Sequence, residues 1–358
     1  MSTDEATPTE KIRVSPKHAA QRLIGSSFYL PEITPDLPLW THPHQADLRK
    51  RVLDWSREFV RFGSADDSMQ YVYGTMGWGE YIAGRLSFPA AELFIEWAVA
   101  LFAQDDVAAV PELGGGCPRD PGDGRLVEVD DWTGEALNDL WQRTVTVTTP
   151  AIADRIKAAI HVYFAGRAEE VPFNVGEGPL QWLGWEAYLR ARRGPIGIYV
   201  CIALAHIDMD VSDEVYRATA DAADMVSDHV VLVNDVFSLR KELLSRDCVN
   251  AAVAYMLHTG VDLQEAVSHT CRRIRGKEHD FAAERSRLEL AYTDIGPYLD
   301  FMGLIMAGNQ RWSYTTIRYH GRGHVWNGLT SAIMELRPDR TVFHPLQEGL
   351  MPLWMSSD

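Results

Sequence analysis

Over most of this chain the apolar residues recur at three- and four-residue steps, and segments of strict alternation are nearly absent, which restricts the fold to packed helices. From Ala46 to Arg61 the pattern is carried by Leu48, Val52, Leu53, Trp55 and Phe59. The stretch Ala90–Ala103, AAELFIEWAVALFA, is apolar on nearly all sides and too long for a typical strand, so it reads as a core helix. Further helices are predicted over Ser68–Leu86, Gly134–Val145, Pro150–Glu169, Pro179–Arg193, Ile196–Ile207 and Ser212–Ser245. Others follow at Asn250–His258, Asp262–Lys277, Ala282–Met306 and Asn309–His320. The expected fold class is all-α, a single-domain helical bundle joined by short polar turns.

Residues 1–45, rich in Pro, Thr and Ser, lack sustained periodicity and read as a flexible lead-in; 46–335 form the bundle and 336–358 a C-terminal tail. At 358 residues the length alone allows two domains, but no shift in composition marks a boundary. One interruption, Pro111–Gly124, is more than half Gly or Pro and can only be a loop. With 46% apolar and 23% charged residues the chain is an ordinary globular one. A formal net charge of −16 is the wrong sign for gripping nucleic-acid phosphates, so an anionic ligand calls for a metal intermediary. Cys117, Cys201, Cys248 and Cys271 are far apart and form no zinc-ribbon spacing, which suits a reducing cytoplasm. The N-terminus lacks the apolar core of a signal peptide. The longest uncharged run, Gly194–Ala205, is 12 residues long, short of the ~20 that span a bilayer, so no membrane insertion is expected.

The segment VVLVNDVFSLRKELLSRD, Val230–Asp247, holds the densest chemistry. With a helical turn of about 100° per residue, Asn234, Ser238 and Glu242 fall at about 0°, 40° and 80°, on one face. An amide oxygen, a hydroxyl and a carboxylate are hard donors of the kind Mg²⁺ accepts, leaving coordination positions for water and phosphate oxygens. Lys241 is placed to reach the same phosphate. By spacing alone, the stripe is equally the polar face of a solvated helix. A second segment, FMGLIMAGNQRWSYTTIRYHG, ends in Arg318 and Tyr319, both donors to phosphate oxygens, and carries Trp312, whose indole face can stabilise a cation.

Taken in order, NDVFSLRKE resembles the NDxxSxxKE metal motif of class I terpene synthases, and GNQRWSYTTIRY resembles their C-terminal GNxxWxxxxxRY segment. The resemblance covers about His44 to Gly321. It implies a helical bundle around a central cavity that holds three Mg²⁺, binds and ionises an isoprenoid diphosphate, and cyclises the resulting cation in an aromatic-lined pocket. It further implies that Asn234, Ser238, Glu242 and Asp105 hold the metals, while Arg193, Lys241, Arg318 and Tyr319 bind the diphosphate. In YLRARRGPIGIYV, Arg193 takes the family's diphosphate-sensing position and Gly197 its effector position at a helix break. Arg193 precedes Asn234 by 41 residues, a spacing shorter than the family's, which leaves Arg192 and Arg190 as alternatives. Pro195 and Gly197 make such a break credible on dihedral grounds alone.

The family's aspartate-rich motif is represented by Asp105 and Asp106 at the end of the apolar helix, but Ala109 stands where a third acid belongs. The string Asp130-Asp131…Glu135 reads as a helix cap instead. Phe94, Trp97, Phe102 and Trp312 are the pocket candidates, with core packing the competing role for the first three. The resemblance therefore points to cyclisation of farnesyl or geranylgeranyl diphosphate to a sesquiterpene or diterpene, by a small-molecule enzyme that also pairs as a homodimer. Prenyl transfer or a non-cyclising lyase reaction on the same substrates, and a catalytically weak isoprenoid-binding protein, are the competing readings.

Overall fold

Capping side chains start many of the helices. The computed structural model describes residues 22–33, 38–108, 124–128, 131–175, 184–245 and 249–346, the side chains of 168–175 excepted. Ala109, most of the Gly/Pro-rich loop, Asp130, residues 179–183 of one predicted helix and the tail from 347 lie outside the described residues. In chain order the elements are β1 (Ser27–Leu30), α1 (Gln45–Phe59), α2 (Ala65–Ile82), α3 (Phe88–Ala108), α4 (Trp132–Val147) and α5 (Pro150–Val175). There follow α6 (Trp185–Arg193), α7 (Ile198–Leu204), α8 (Asp213–Ala218), α9 (Ala220–Ser245), α10 (Ala251–Thr259), α11 (Leu263–Ala291), α12 (Gly296–Thr315), α13 (Ile317–His320), β2 (Ala332–Leu336) and β3 (Thr341–His344).

Ser64 and Asp67 form a reciprocal capping box at α2. Asp131 accepts from the amides of Thr133 and Gly134 at α4, so the capping role read from the sequence is the one it plays. Asn250 and Asp262 cap α10 and α11. Three breaks differ from the periodicity: the predicted helix over Ser212–Ser245 splits at Thr219, the break expected between Lys277 and Ala282 falls instead at Tyr292–Ile295, and the one expected between Met306 and Asn309 falls at Thr316. Gly276 and Gly308 both lie within helices; at Gly308 a Cβ would come within 2.7 Å of Ile82, so close helix packing there calls for the missing side chain.

The core gathers around α9 and α12. From Ala222 to Leu243, α9 buries residues on all sides, packed against α11, α12, α6 and α7. On the opposite wall, α3 packs on α2 and α4. No helix among the described residues is long and apolar enough to cross a membrane. Cys201 and Cys271 are buried free thiols.

The helical bundle is the expected one, and a small three-stranded antiparallel sheet, order β1-β2-β3, is added to it. Strand β1 lies inside the lead-in expected to be flexible, and the limit at 335 falls within β2. Phe28 pairs with Met334, and Met334 with Phe343, so the buried residues share one face. The outer edge of β1 is closed by Gln264 of α11, whose side-chain amide both accepts from Tyr29 N (2.7 Å) and donates to Tyr29 O (3.1 Å). These strands escape the sequence reading because four or five residues give too short an alternation, and the partner of β1 lies some three hundred residues away.

Candidate active site

Eight helices line one cavity of about 120 Å³. Helix α3 contributes Ala98, Leu101, Phe102 and Asp105, at the three-, four- and seven-residue spacing of one helical face. Helix α9 contributes Val230, Asn234, Ser238, Lys241 and Glu242; α13 contributes Arg318 and Tyr319. The α6–α7 junction adds Arg192, Pro195, Ile196 and Gly197, and α5 adds Tyr163 and Arg167. The two motif segments, some 80 residues apart in sequence, thus meet across one space.

On α9 the motif side chains hold one another. Ser238 Oγ donates to Glu242 Oε1 at 2.6 Å and also reaches Asn234 O at 2.6 Å, while Asn250 Nδ2 donates to Glu242 Oε2 at 2.7 Å. Asn234 Nδ2 donates to the Tyr319 hydroxyl at 2.5 Å, which joins α9 to α13. Burial pushes the Tyr319 phenol up to about 12, so it keeps its proton at neutral pH.

On α3 the acids are held by cations. Asp105 pairs with Arg167 and, at 3.1 Å, with Arg318. Asp106 pairs with Arg318 and, at 3.2 Å, with Lys241, and accepts from Tyr71 at 3.0 Å. Burial pushes the Asp105 carboxyl up, but Arg167, Lys241, Arg318 and Arg192 more than offset it and hold it at about 2. The helix continues through Ala108, so both acids lie in its last turn, where the macrodipole opposes them and the cations compensate. Asp106 itself faces a neighbouring cleft, shared with Tyr71, Lys241 and Arg318.

Other predicted residues fall elsewhere. Arg193 does not line the cavity: its guanidinium is turned to Asp228 (2.7 and 2.9 Å) and Asp224. Arg192, the next residue on α6, faces the cavity, with Asp235 at 3.7 Å. Neither Arg192 nor Arg167 carries a signal that separates it from neighbouring arginines in the sequence; only the packing of α5 and α6 does so. Gly197 lies at the break, with φ 78°, a left-handed conformation that favours glycine. Its carbonyl already accepts from Val200 and Cys201, starting α7.

Of the aromatic candidates, Phe102 lines the cavity, with Arg318 over its ring at 5.1 Å. Trp312 lies one layer back, packed on Phe102 (5.1 Å) and Tyr319 (4.9 Å), with its indole N–H donated to Gly74 O. Phe94 and Trp97 are core residues: Phe94 meets Trp78 and Phe301, and Trp97 donates to Thr144 on α4. Trp97 is about 100° round the helix from Ala98 and so turns from the cavity. Trp78, whose indole donates to Asn309 at 3.0 Å, takes a place on the wall that periodicity did not single out.

The donor set suits a hard cation. Among the described residues no three His, Cys, Asp or Glu cluster; the oxygens are instead divided between the α3 acids and the Asn/Ser/Glu face of α9. Such neutral and anionic oxygens around one space accept Mg²⁺ and disfavour soft metals.

Comparison with known proteins agrees with this geometry. Residues 116–280 match the family model described as terpene synthase family 2, C-terminal metal binding. The chain is 30% identical over 221 residues to pristinol synthase of Streptomyces pristinaespiralis, covering 55% of this chain and 58% of that protein. It is 27% identical over 233 residues to isoafricanol synthase of Streptomyces violaceusniger, covering 58% and 61%. The matched region thus spans about three-fifths of the length of these curated relatives. A linalool/nerolidol synthase structure from Streptomyces clavuligerus superposes with a TM-score of 0.66 at 20% identity, over 77% of this chain and 98% of that one. A variant of the ancestrally reconstructed protein SVS_A2 gives 0.70 at 23%, over 79% and 88%. Fold and motif order are thus similar to those of class I terpene synthases, and the match to terpene synthase family 2 covers its metal-binding C-terminal part.

Proposed function

We propose that this protein ionises a linear isoprenoid diphosphate, farnesyl or geranylgeranyl, and cyclises it to a sesquiterpene or diterpene with release of diphosphate. The observation that carries the reading is the composition of one cavity wall. Four cations, Arg167, Arg192, Lys241 and Arg318, face the same space as two carboxylates, Asp105 and Glu242, beside the apolar surfaces of Trp78, Leu101, Phe102, Ile198 and Val230. A polyanion on an apolar tail is the ligand such a wall complements.

In this reading Asp105, Asn234, Ser238 and Glu242 hold three Mg²⁺, with Asp106 beside them. Bound Mg²⁺ supplies Lewis-acid stabilisation of the charge that develops on the departing diphosphate. Arg318 and Lys241 exchange their carboxylate partners for diphosphate oxygens, and Tyr319 donates its retained proton to the same group. Arg192 takes the sensing role expected of Arg193, and Arg167 joins it. The ion pairs of Asp105 with Arg167 and Arg318 must open to admit a ligand. Their regrouping around it excludes water from the reacting carbon. Phe102 and Trp78 present ring faces to the cationic chain, while Gly197 fixes the bend that keeps the opposite wall clear. A cytoplasmic setting, pairing as a homodimer and no engagement of nucleic acid complete the proposal.

The test is incubation of purified protein with geranyl, farnesyl and geranylgeranyl diphosphates, with Mg²⁺ or with EDTA, followed by pyrophosphate assay and mass spectrometry of extracted hydrocarbons. A cyclic product formed only with Mg²⁺ is expected. A linear product, or a prenylated acceptor, replaces cyclisation with the lyase or transfer reaction. Absence of pyrophosphate with every substrate, together with retained isoprenoid affinity, makes the chain a binding protein.

A further inference from the structure

Helix α13 carries Arg318 and Tyr319 on only four residues, far below the ~12–15 at which a helix is stable by itself in water. Its orientation is therefore fixed by what touches its ends. At the start, Thr316 Oγ1 donates to Gly74 O at 2.7 Å. At the finish, Gly321 has φ 90°, and a Cβ there would lie 2.3 Å from Asp339 O and 3.2 Å from the Cα of Arg340. The turn between β2 and β3 thus lies directly against the residue two beyond Tyr319.

That turn is tied to the metal-motif helix. Arg240 lies midway between Ser238 and Glu242 on α9, turned away from the cavity, and is only 7% exposed. Its guanidinium donates to Arg337 O at 2.7 Å and to Pro338 O at 2.5 Å. Arg337 N closes the turn on Arg340 O at 3.0 Å. His320 packs its ring on Phe343 of β3 at 5.2 Å, adding a second hold from the same sheet. A buried cation satisfied by main-chain carbonyls is costly to assemble, and the fork of an arginine fixes two carbonyls at once.

We propose that Arg240 and the β2–β3 turn form a clamp behind the cavity that positions Arg318 and Tyr319 against the motif face of α9. Arg240 is thus a positioning residue for diphosphate binding. The circuit closes on itself: Asn234 holds Tyr319 from the front, while Arg240 holds Gly321 through the turn from behind. Because it gives the β2–β3 hairpin a part in ligand binding, the clamp deepens the proposed function and rests on it.

The experiment compares wild type with Arg240→Met, Arg240→Lys and Gly321→Ala by hydrogen exchange and by calorimetry with Mg²⁺ and inorganic pyrophosphate. In Arg240→Met, exchange across residues 317–321 is expected to rise while that in α1 stays unchanged, and pyrophosphate is expected to bind about tenfold more weakly. Arg240→Lys, which keeps the charge but not the fork, should recover part of both effects. On the substrate identified above, the loss should fall on KM more than on kcat. Gly321→Ala, whose Cβ would press on Asp339 O from the α13 side and lie 3.3 Å from an Arg240 guanidinium nitrogen, leaves Arg240 in place but displaces the turn; it should move both readouts the same way, and it decides the matter if Arg240→Met does not fold. Unchanged exchange across 317–321 in a folded variant overturns the clamp; raised exchange with unchanged pyrophosphate affinity overturns its role in binding. If wild type itself binds no Mg²⁺–pyrophosphate, the proposed function fails, and the exchange data alone judge the clamp.

Discussion

The two walls of the cavity are built in opposite ways. On α9 the functional side chains hold one another through neutral or singly charged hydrogen bonds at four-residue spacing, with Asn250 supporting Glu242 from the adjacent helix start. On α3 the acids are held by cations that arrive from 62 to 213 residues away, Arg167, Lys241 and Arg318. The first wall is pre-organised by its own helix. The second is a set of exchangeable ion pairs, suited to releasing carboxylates to metal and arginines to diphosphate.

The most drastic way to probe the contrast is to neutralise one acid on each wall. Glu242→Gln and Asp105→Asn should each lower Mg²⁺-dependent pyrophosphate release by about 10²–10³-fold, the scale for removing one electrostatic stabiliser of a transition state. Chelation with EDTA should abolish release in wild type. A single-turnover assay that found only Glu242 necessary would confine metal binding to the α9 wall.

Asn250→Ala tests pre-organisation directly. It removes the α10 cap and the amide that bonds both Glu242 Oε2 and Asp235 O, and should cost about 2–3 kcal/mol, read from the urea midpoint. An equal loss on truncating Arg167 would erase the distinction between the walls.

A subtler separation comes from Arg167→Met. Removing a cation from Asp105 should tighten binding of Mg²⁺ alone several-fold and weaken binding of Mg²⁺–pyrophosphate, because the same charge repels one ligand and attracts the other. Calorimetry with each ligand checks the opposite signs; movement of both in one direction would contradict an exchangeable pair.

A last effect belongs to neither wall and serves as their control. Buried His206, within 2.9 Å of the Tyr298 hydroxyl, is pushed down to about 4 by desolvation, with Arg155 adding to the shift. The unfolded chain therefore binds the proton more readily. Stability is full above pH 6.5 and falls as pH drops towards 4, by at most about 1.4 kcal/mol per unit. Urea midpoints at pH 7 and pH 5 should show the loss, and His206→Gln should flatten it.

Legibility in the sequence follows the range of the interactions. The face shared by Asn234, Ser238 and Glu242 follows from helical repeat alone, and the break at Gly197 from local dihedral preference. The sheet was missed because β1 and β2 are too short to announce themselves and recognise each other only after the chain has closed on itself. The family register favours Arg193 over Arg192, whereas the Arg193 guanidinium is captured by half-buried Asp224 and buried Asp228 of α9. Phe94, Trp97 and Trp312 share aromatic chemistry with Phe102, and only the rotation of their helices assigns Phe102 alone to the wall.

What the sequence determined by itself was therefore everything carried by periods of three to four residues: helical class, motif face, caps, and the acidic turn at Asp105 and Asp106. The tertiary structure decided which of two adjacent arginines meets the cavity and that Arg167 joins Asp105. It also decided that the β2–β3 turn lies against Gly321, two residues beyond Tyr319. The reason is physical: a helix repeats its side-chain directions regardless of context, but adjacent residues differ by about 100° in direction, and only packing sets which direction is inward.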